Sequence, residues 1–315
     1  MTSIASPWAE EGKMNLRNIG FLHPGEMGIS LAASAQNSGH QAYWVSEGRS
    51  DQTRERADRH GLNDAGTLAA LCQTCTIIVS ICPPHAAEEI AESVLRCGFR
   101  GLYVDANAIS PQRIVRMAER MALAGIDLVD GGVIGGPAWQ PGRTWLYLSG
   151  ERAQEAAACF AAGPLETAVI GPEVGKASAL KMVYAAYSKG TTALLCGVLA
   201  AAEALEVREE LEAEWSRHGS RFAEEAQNRV TRVTAKAWRF AGEMEEIAAT
   251  FEGASLPGGF HRAAAELYRR IAGFKDGTLP GLAEVLDALR AGTTEPGALE
   301  RLGLDAAEKR VPHEG

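Results

Sequence analysis

The feature that most limits the folds open to this chain is an alternation running from residue 17 to residue 171. Short apolar runs (RNIGFL, QAYWVS, TIIVSI, GLYVDA, IDLVDG, TWLYLSG and ETAVIG) are separated by stretches with helical spacing, such as 29–38, 67–71 and 111–124. Strands joined by helical crossovers lie parallel, and the crossovers cover both faces of the sheet they form. The expectation is an α/β Rossmann-type domain, doubly wound around a mainly parallel sheet, over residues 15–172, preceded by a loose tail at 1–14. Beyond Gly171 strand signals stop. EVGKASALKMVYAAYSKGTTALLCGVLAAAEAL reads as one long helix whose small residues permit close packing. REELEAEWSRHG, a long stretch from FAEEAQ to ATFEG, and GFHRAAAELYRRIAGF follow as amphipathic segments, broken by SLPGG and KDGTLPG. An all-α second domain is therefore expected over 173–305, with a frayed end at 306–315.

Composition narrows the function. With 315 residues, 46% of them hydrophobic, the chain buries a real core, and a net charge of −9 disfavours a surface that coats nucleic acid. A small-molecule partner is expected instead. The longest uncharged run of the second half, 190–202, is shorter than the ~20 apolar residues that span a bilayer, so no membrane span is expected. The six cysteines lie in apolar contexts, and Cys72-x-x-Cys75 has no second Cys or His pair to complete a metal site. No metal is expected. No basic-then-apolar leader pattern opens the sequence, so the expectation is a reduced, cytoplasmic protein.

The first strand runs into NIGFLHPGEMG. A Gly-x-Gly-x-x-Gly fingerprint laid over it puts Gly25 and Gly28 on the second and third glycines and His23 on the first. The second glycine lets the backbone approach a pyrophosphate, and the third lets helix and strand pack closely. Proline at 24 fixes its own φ and restricts its predecessor, so the turn is stiffened by another device. At the end of the second strand an NAD site wants an acid for the ribose hydroxyls. Here Ser46, Arg49 and Ser50 offer two hydroxyls and a cation to a 2′-phosphate, which points to NADP(H). Glu47 is discordant, although strand alternation can turn it to the other face. A ligand-free Gly-rich turn and a solvated polar loop remain open as plainer readings.

Four places in the sequence resemble the β-hydroxyacid dehydrogenase family, with its relatives 6-phosphogluconate dehydrogenase and the imine reductases. GFLHPGEMG is similar to the family's glycine turn; DANAISP, 105–111, to its Asp-x-Ser-Thr-x-x-Pro substrate loop; VDGGVIGGP to its Asp-Ala-Pro-Val-Ser-Gly-Gly; and GKASALK, 175–181, to the Gly-x-x-x-x-x-Lys opening of the interdomain helix. A branch with His-Pro in the first turn is the nearest likeness. The resemblance implies that cofactor contacts come from Leu22, His23, Pro24, Gly25, Glu26, Met27, Ser46, Arg49, Ser50, Ile81, Cys82, Pro83 and Asn107. Lys181 would be the general acid/base, since hydride transfer to or from an alcohol carbon needs a proton moved as well. Burial at an apolar helix start would bring its pKa toward working pH. A salt-bridged or snorkelling lysine is the plainer alternative.

Departures from the family pattern bear on the substrate. Ala185 stands one turn after the lysine where the family has asparagine, Asn107-Ala108 replaces Ser-Thr, Ile134 replaces serine, and near the later Lys-Asp motif only Glu243-Met244 is found. Substrate contacts are expected from Asn107, Ala108, Val133, Ile134, Gly135, Gly136, Trp139, Tyr184, Ala185 and Tyr187. The pocket is more apolar and aromatic than the family's, so a bulkier or less acidic substrate than a short 3-hydroxy acid is expected. His261 and Arg262 could hold an anionic group, because in related dimers the helical domain often completes the partner's site. A homodimer through that domain is expected. Alternatives are an imine reductase and a non-catalytic NADPH-binding regulator.

Overall fold

A computed structural model describes residues 16–275 and 277–291. The expected tail at 1–14 and frayed end at 306–315 lie outside the described residues. The chain runs β1 (Asn18–Phe21), α1 (Glu26–Asn37), β2 (Gln41–Trp44), α2 (Asp51–Arg59), β3 (Asn63–Asp64), α3 (Leu68–Thr74), β4 (Ile77–Ser80), α4 (Ala87–Arg96), β5 (Leu102–Asp105), α5 (Pro111–Leu123), β6 (Asp127–Ile134), β7 (Trp145–Ser149), α6 (Ala153–Ala158) and β8 (Glu166–Val169). Then come α7 (Lys176–Ala204), α8 (Arg208–Trp215), α9 (Phe222–Gly253), α10 (Gly259–Arg270) and α11 (Leu282–Arg290).

The strands form one sheet in the order β3-β2-β1-β4-β5-β6-β7-β8. All neighbours are parallel except β6 and β7, which pair antiparallel from Asp130↔Ser149 to Ile134↔Trp145. Central strands β4 and β5 are buried along their whole length, as a sheet covered on both faces requires. Alternation then sorts their side chains. Ile77, Val79, Leu102 and Val104 join a core with α1 and α6, whereas Ile78 and Tyr103 join a second core with α3, α4 and α5. Each such fully buried aliphatic or aromatic side chain contributes about 1.5–3 kcal/mol. The chain reverses its direction across the sheet between β1 and β4, and the crevice at the carboxyl ends of those strands is where open α/β sheets take ligands.

Local chemistry explains most boundaries. Thr67 caps α3 by accepting from Ala70 N at 3.2 Å, and Pro111 stands in the first turn of α5. Gly125, with φ +72, ends α5 in the left-handed region, and Ile126 N then donates back to Met121 O. Sequence reading missed β3, a two-residue edge strand of exposed Asn and Asp with no apolar signal. Nor did it single out α2. DQTRERADR buries only Ala57, so the helix has almost no apolar stripe to betray it.

The residues form two compact units. The first runs to Ala186 and takes in Glu245–Gly258, and so holds the sheet, the opening turns of α7 and the end of α9. The second holds Tyr187–Met244 and the residues from Gly259 on. It is all helical among the described residues, and inside it Lys189 pairs with Glu243, both largely buried, while the Tyr268 hydroxyl donates to Lys189 O at 2.7 Å. The linear boundary expected at 172 thus falls ahead of the observed division, because the first turns of α7 are tied to the sheet.

Gly28, in the first turn of α1, explains how helix and strand approach so closely. A methyl group there would overlap the His23 carbonyl oxygen, which is backbone and cannot rotate aside. Gly28→Ala is expected to cost on the order of 1–3 kcal/mol of stability, read as a lowered denaturation midpoint. Gly25→Ala, at a position with open space, should cost less than about 1 kcal/mol.

Candidate functional site

The glycine turn joins β1 to α1 across residues 22–25. Leu22 N donates to Val79 O at 3.1 Å, tying the turn to β4, and Gly25 N donates to His23 O at 2.8 Å. Gly25 has φ −68 and ψ −172, a conformation any residue adopts, and nothing lies within 4 Å of where its Cβ would be. Its own backbone therefore does not require glycine; what its lack of a side chain preserves is open space in front of the turn. No side chain caps α1, so the first N–H groups of the helix are left for an acceptor from outside. Those are two attributes that suit a pyrophosphate, and Leu22, His23, Pro24, Gly25, Glu26 and Met27 make up this turn and the start of α1.

His23 does more than fill the missing glycine's place. Its Nδ1 is buried without a hydrogen-bond partner, and burial together with the charge of Arg49 pushes its pKa down to about 4. The imidazole is neutral at pH 7. Arg49 donates through Nη2 to Leu22 O at 3.3 Å, so this cation folds back onto the turn from the end of β2. Arg56, from α2, donates to Pro24 O at 3.4 Å. Ser46 is buried, and its carbonyl accepts from Arg49 N in a tight turn. Ser50 has another occupation: it is the N-cap of α2, accepting from Thr53 N at 3.4 Å and sharing a hydrogen bond with Thr53 Oγ1. Sequence reasoning missed Arg56. The Ser-Asp-x-Thr capping pattern ahead of it was the available sign of a helix.

Along the carboxyl rim of the sheet the next group is built on Asn107. Its Oδ1 accepts from Cys82 N at 2.6 Å, and its Nδ2 donates to Asp105 Oδ2 at 2.8 Å and to Ser80 Oγ at 3.2 Å. Both amide hydrogens are therefore committed to a buried network that fastens the end of β4 to the end of β5. Asn107 was expected to offer its amide to a ligand; in the structure that donor capacity is taken. Asp105 is fully buried, and burial pushes its carboxyl up to about 7 against the pull of the Asn107 hydrogen bonds. Ile81 touches the Gly28 position, Cys82 is half-buried with its thiol pushed up to about 12, and Pro83 is exposed. Cys72 and Cys75 are buried free thiols at the end of α3. Among the described residues no group of His, Cys, Asp and Glu is arranged to hold a metal ion.

The third group seats α7. Asp130, on β6, is completely buried, and its carboxylate accepts from Gly175 N at 2.9 Å, Ser178 N at 3.0 Å, Ser178 Oγ at 2.6 Å and Ser149 Oγ at 3.1 Å. Ser149 Oγ in turn accepts from Ala177 N at 3.1 Å. The unpaired N–H groups that open a helix are thus satisfied from the sheet, and a carboxylate sits at the positive helix end. Gly132 completes the seat: a Cβ there would stand 2.6 Å from Ala177 O and 3.1 Å from Lys181 Cβ. With α7 fixed in this way, Lys181 lies half-buried with Nζ donating to Val133 O at 2.5 Å. Sequence reasoning singled out Lys181 and passed over Asp130, although the Asp-Gly-Gly at the strand centre was legible.

The remaining expected residues divide. Val133 and Ala185 are buried, Ile134 and Ala108 are half-buried, Gly135 and Gly136 are exposed, and Tyr184 is 49% exposed, all within the first unit. Trp139 is 48% exposed. Ala138 N donates to Ser30 Oγ at 2.9 Å, which draws the loop across α1, and the indole stacks on His60 with centroids 5.1 Å apart. Tyr187 belongs to the second unit and is exposed, as is Arg262; His261 there is buried edge-on against Phe260. The DANAISP loop, 105–111, is braced from α9, where Glu246 accepts from Ser110 N at 2.9 Å and pairs with Arg113.

Two outcomes follow. Asp130→Ala leaves several buried N–H and O–H donors without an acceptor and should cost on the order of 3 kcal/mol or more, seen in denaturant unfolding. For His23 the folded pKa, about 4, lies below the ordinary 6.5. Its contribution to stability is complete above pH 6.5 and is lost as pH falls toward 4. The native chain should therefore lose stability over that window more steeply than His23→Gln; parallel slopes would contradict the buried neutral imidazole.

Comparison with known proteins agrees with this geometry. Residues 18–159 match the family described as the NAD binding domain of 6-phosphogluconate dehydrogenase, and residues 202–271 match a domain of unknown function, DUF1932. An uncharacterized 28.5 kDa protein of Methanothermus fervidus is 30% identical over 224 residues, which cover 67% of this chain and 82% of the relative. A solved conserved protein of unknown function, MTH1747, described as structurally similar to 3-hydroxyacid dehydrogenases, is 28% identical with a TM-score of 0.58, over 81% of this chain and 98% of its own. The fold is shared with 3-hydroxyisobutyrate dehydrogenase of Mycobacterium tuberculosis (TM-score 0.63, 16% identity, 87% and 99% of the two chains). It is shared also with an imine reductase from Myxococcus stipitatus (TM-score 0.51, 19% identity, 86% and 99%). The chain therefore belongs to the 6-phosphogluconate dehydrogenase-like superfamily of NAD(P)-binding proteins, with a hydroxyacid dehydrogenase-like fold.

Proposed function

We propose that the protein is an NADPH-dependent oxidoreductase acting on a carbonyl or hydroxy compound, with Lys181 as the general acid/base. The observation that carries this reading is the setting of Lys181: an amine anchored by Val133 O at the carboxyl end of β6, on the same rim of the sheet as the glycine turn. When bound, the nicotinamide supplies or accepts the hydride. Lys181 performs the accompanying proton step, giving a proton to a carbonyl oxygen in reduction and withdrawing one from a hydroxyl in oxidation. The turn residues 22–27 and the end of β4 at 81–83 would hold the dinucleotide, and the cation of Arg49 supports a phosphorylated one.

The residues expected to contact the substrate support one with little negative charge. Ala185 offers no amide, Ile134 and Ala108 are apolar or small, and the hydrogens of Asn107 are committed to Asp105 and Ser80. The same losses favour a second reading, reduction of a C=N bond, for which carboxylate-holding groups are equally unnecessary. A homodimer is part of the proposal. Leu180, Val183, Tyr184, Tyr187 and Leu194 recur at helical spacing on one face of α7 and are 37–75% exposed, an apolar stripe for a second copy to cover.

Lys181→Ala should lower kcat for ketone reduction by about 10²- to 10⁴-fold while NADPH affinity in a fluorescence titration stays near that of the native chain. Unchanged turnover of an imine by the same variant would assign the chemistry to the second reading. Turnover of ketones that survives the substitution would remove Lys181 from the mechanism.

A further inference from the structure

The turn that replaces the first glycine with His-Pro is gripped by two guanidinium groups, and only one of them was anticipated. Arg49 reaches Leu22 O and Arg56 reaches Pro24 O, the carbonyls that flank His23. Two residues of chain span at most about 7 Å, so the two cations stand over one short segment. Both are half-buried, and among the described residues neither makes an ion pair with a carboxylate. By contrast Arg17, Arg113, Arg120 and Arg152 of the same unit all hold acids. Arg49 Nε is buried with no partner. Partly buried cations held only by long bonds to neutral carbonyls, at 3.3 and 3.4 Å, keep most of their donor capacity for an anion.

We infer that Arg56 and Arg49 together form a two-cation seat for the 2′-phosphate of a phosphorylated dinucleotide, with Arg56 as a specificity-determining residue. The inference rests on the NADPH reading above and adds to it a residue from a different element. The phosphate carries three acceptor oxygens, enough to bridge two forked guanidiniums. Ser50, a hydroxyl expected to share this task, is tied to Thr53 as the cap of α2, and the same helix returns a cation to the turn at Arg56. The cations also brace Leu22 O and Pro24 O, so the site keeps its shape before the anion arrives. Arg56 stands in the last turn of α2, where a cation also favours the helix end. That purely structural role would act on stability and not on the choice between nucleotides.

The test is calorimetric titration of NADPH and of NADH into the native chain, Arg56→Ala and Arg56→Lys, with the thermal midpoint of each protein recorded. The expected result is a loss of about ten- to a hundredfold in NADPH affinity for Arg56→Ala, unchanged NADH affinity, and partial recovery in Arg56→Lys. An unchanged NADPH-to-NADH ratio would overturn the inference, as would an equal loss for both nucleotides with a lowered midpoint, which makes Arg56 a brace. A native chain that does not prefer NADPH would overturn the NADPH reading itself, and this shows before any variant is compared.

Discussion

A single buried carboxylate organises the half of the candidate site that carries Lys181. Asp130 sits in the middle of β6 and accepts hydrogen bonds from the backbone and side chains that open α7. Burial raises its pKa, and the donors around it oppose that shift. A buried charge is tolerable only where its lone pairs are taken up, and here the donors are the helix's own unpaired N–H groups. One interaction thus satisfies two needs, that of the acid and that of the helix end. Gly132 allows the contact to be intimate, and Lys181 arrives at Val133 O as a consequence. The amine's position is therefore a property of the sheet, not of a mobile loop.

The half built on the glycine turn follows a different logic. Of the three fingerprint glycines, the one with a packing role and the one with open space before it are kept, and the one that shapes the turn is replaced. Proline stiffens that turn, and two guanidinium groups hold its carbonyls. His23 stays neutral in this cationic setting, which keeps the local charge available to a phosphate. Between the two halves Asn107 ties β4 to β5 and leaves the rim continuous from the turn to β6.

Much of this was legible in the sequence, for reasons that can be stated. The apolar strands announced themselves because buried parallel strands are apolar on both faces, and α7 did because its small residues run for many turns. β3 was invisible, since an exposed two-residue edge carries no burial signal, and α2 hid because only Ala57 of it is buried. Among the residues singled out, the glycine turn was readable from its own spacing, and Lys181 was singled out by the resemblance of GKASALK to a known helix opening. The commitment of Asn107 was not readable, because a side-chain amide's partners depend on which strand lies next to it. The setting of Trp139 was not readable for a similar reason: a backbone hydrogen bond from Ala138 to Ser30 draws its loop over α1, and no local pattern encodes that contact.

The most direct measurement is a diffraction structure of the protein with NADPH bound. The account predicts the pyrophosphate over the open face of Gly25 at the start of α1, and the nicotinamide end on the rim beside Val133 and the Lys181 amine. A dinucleotide bound elsewhere, or bound at the turn with its nicotinamide remote from Lys181, would contradict it.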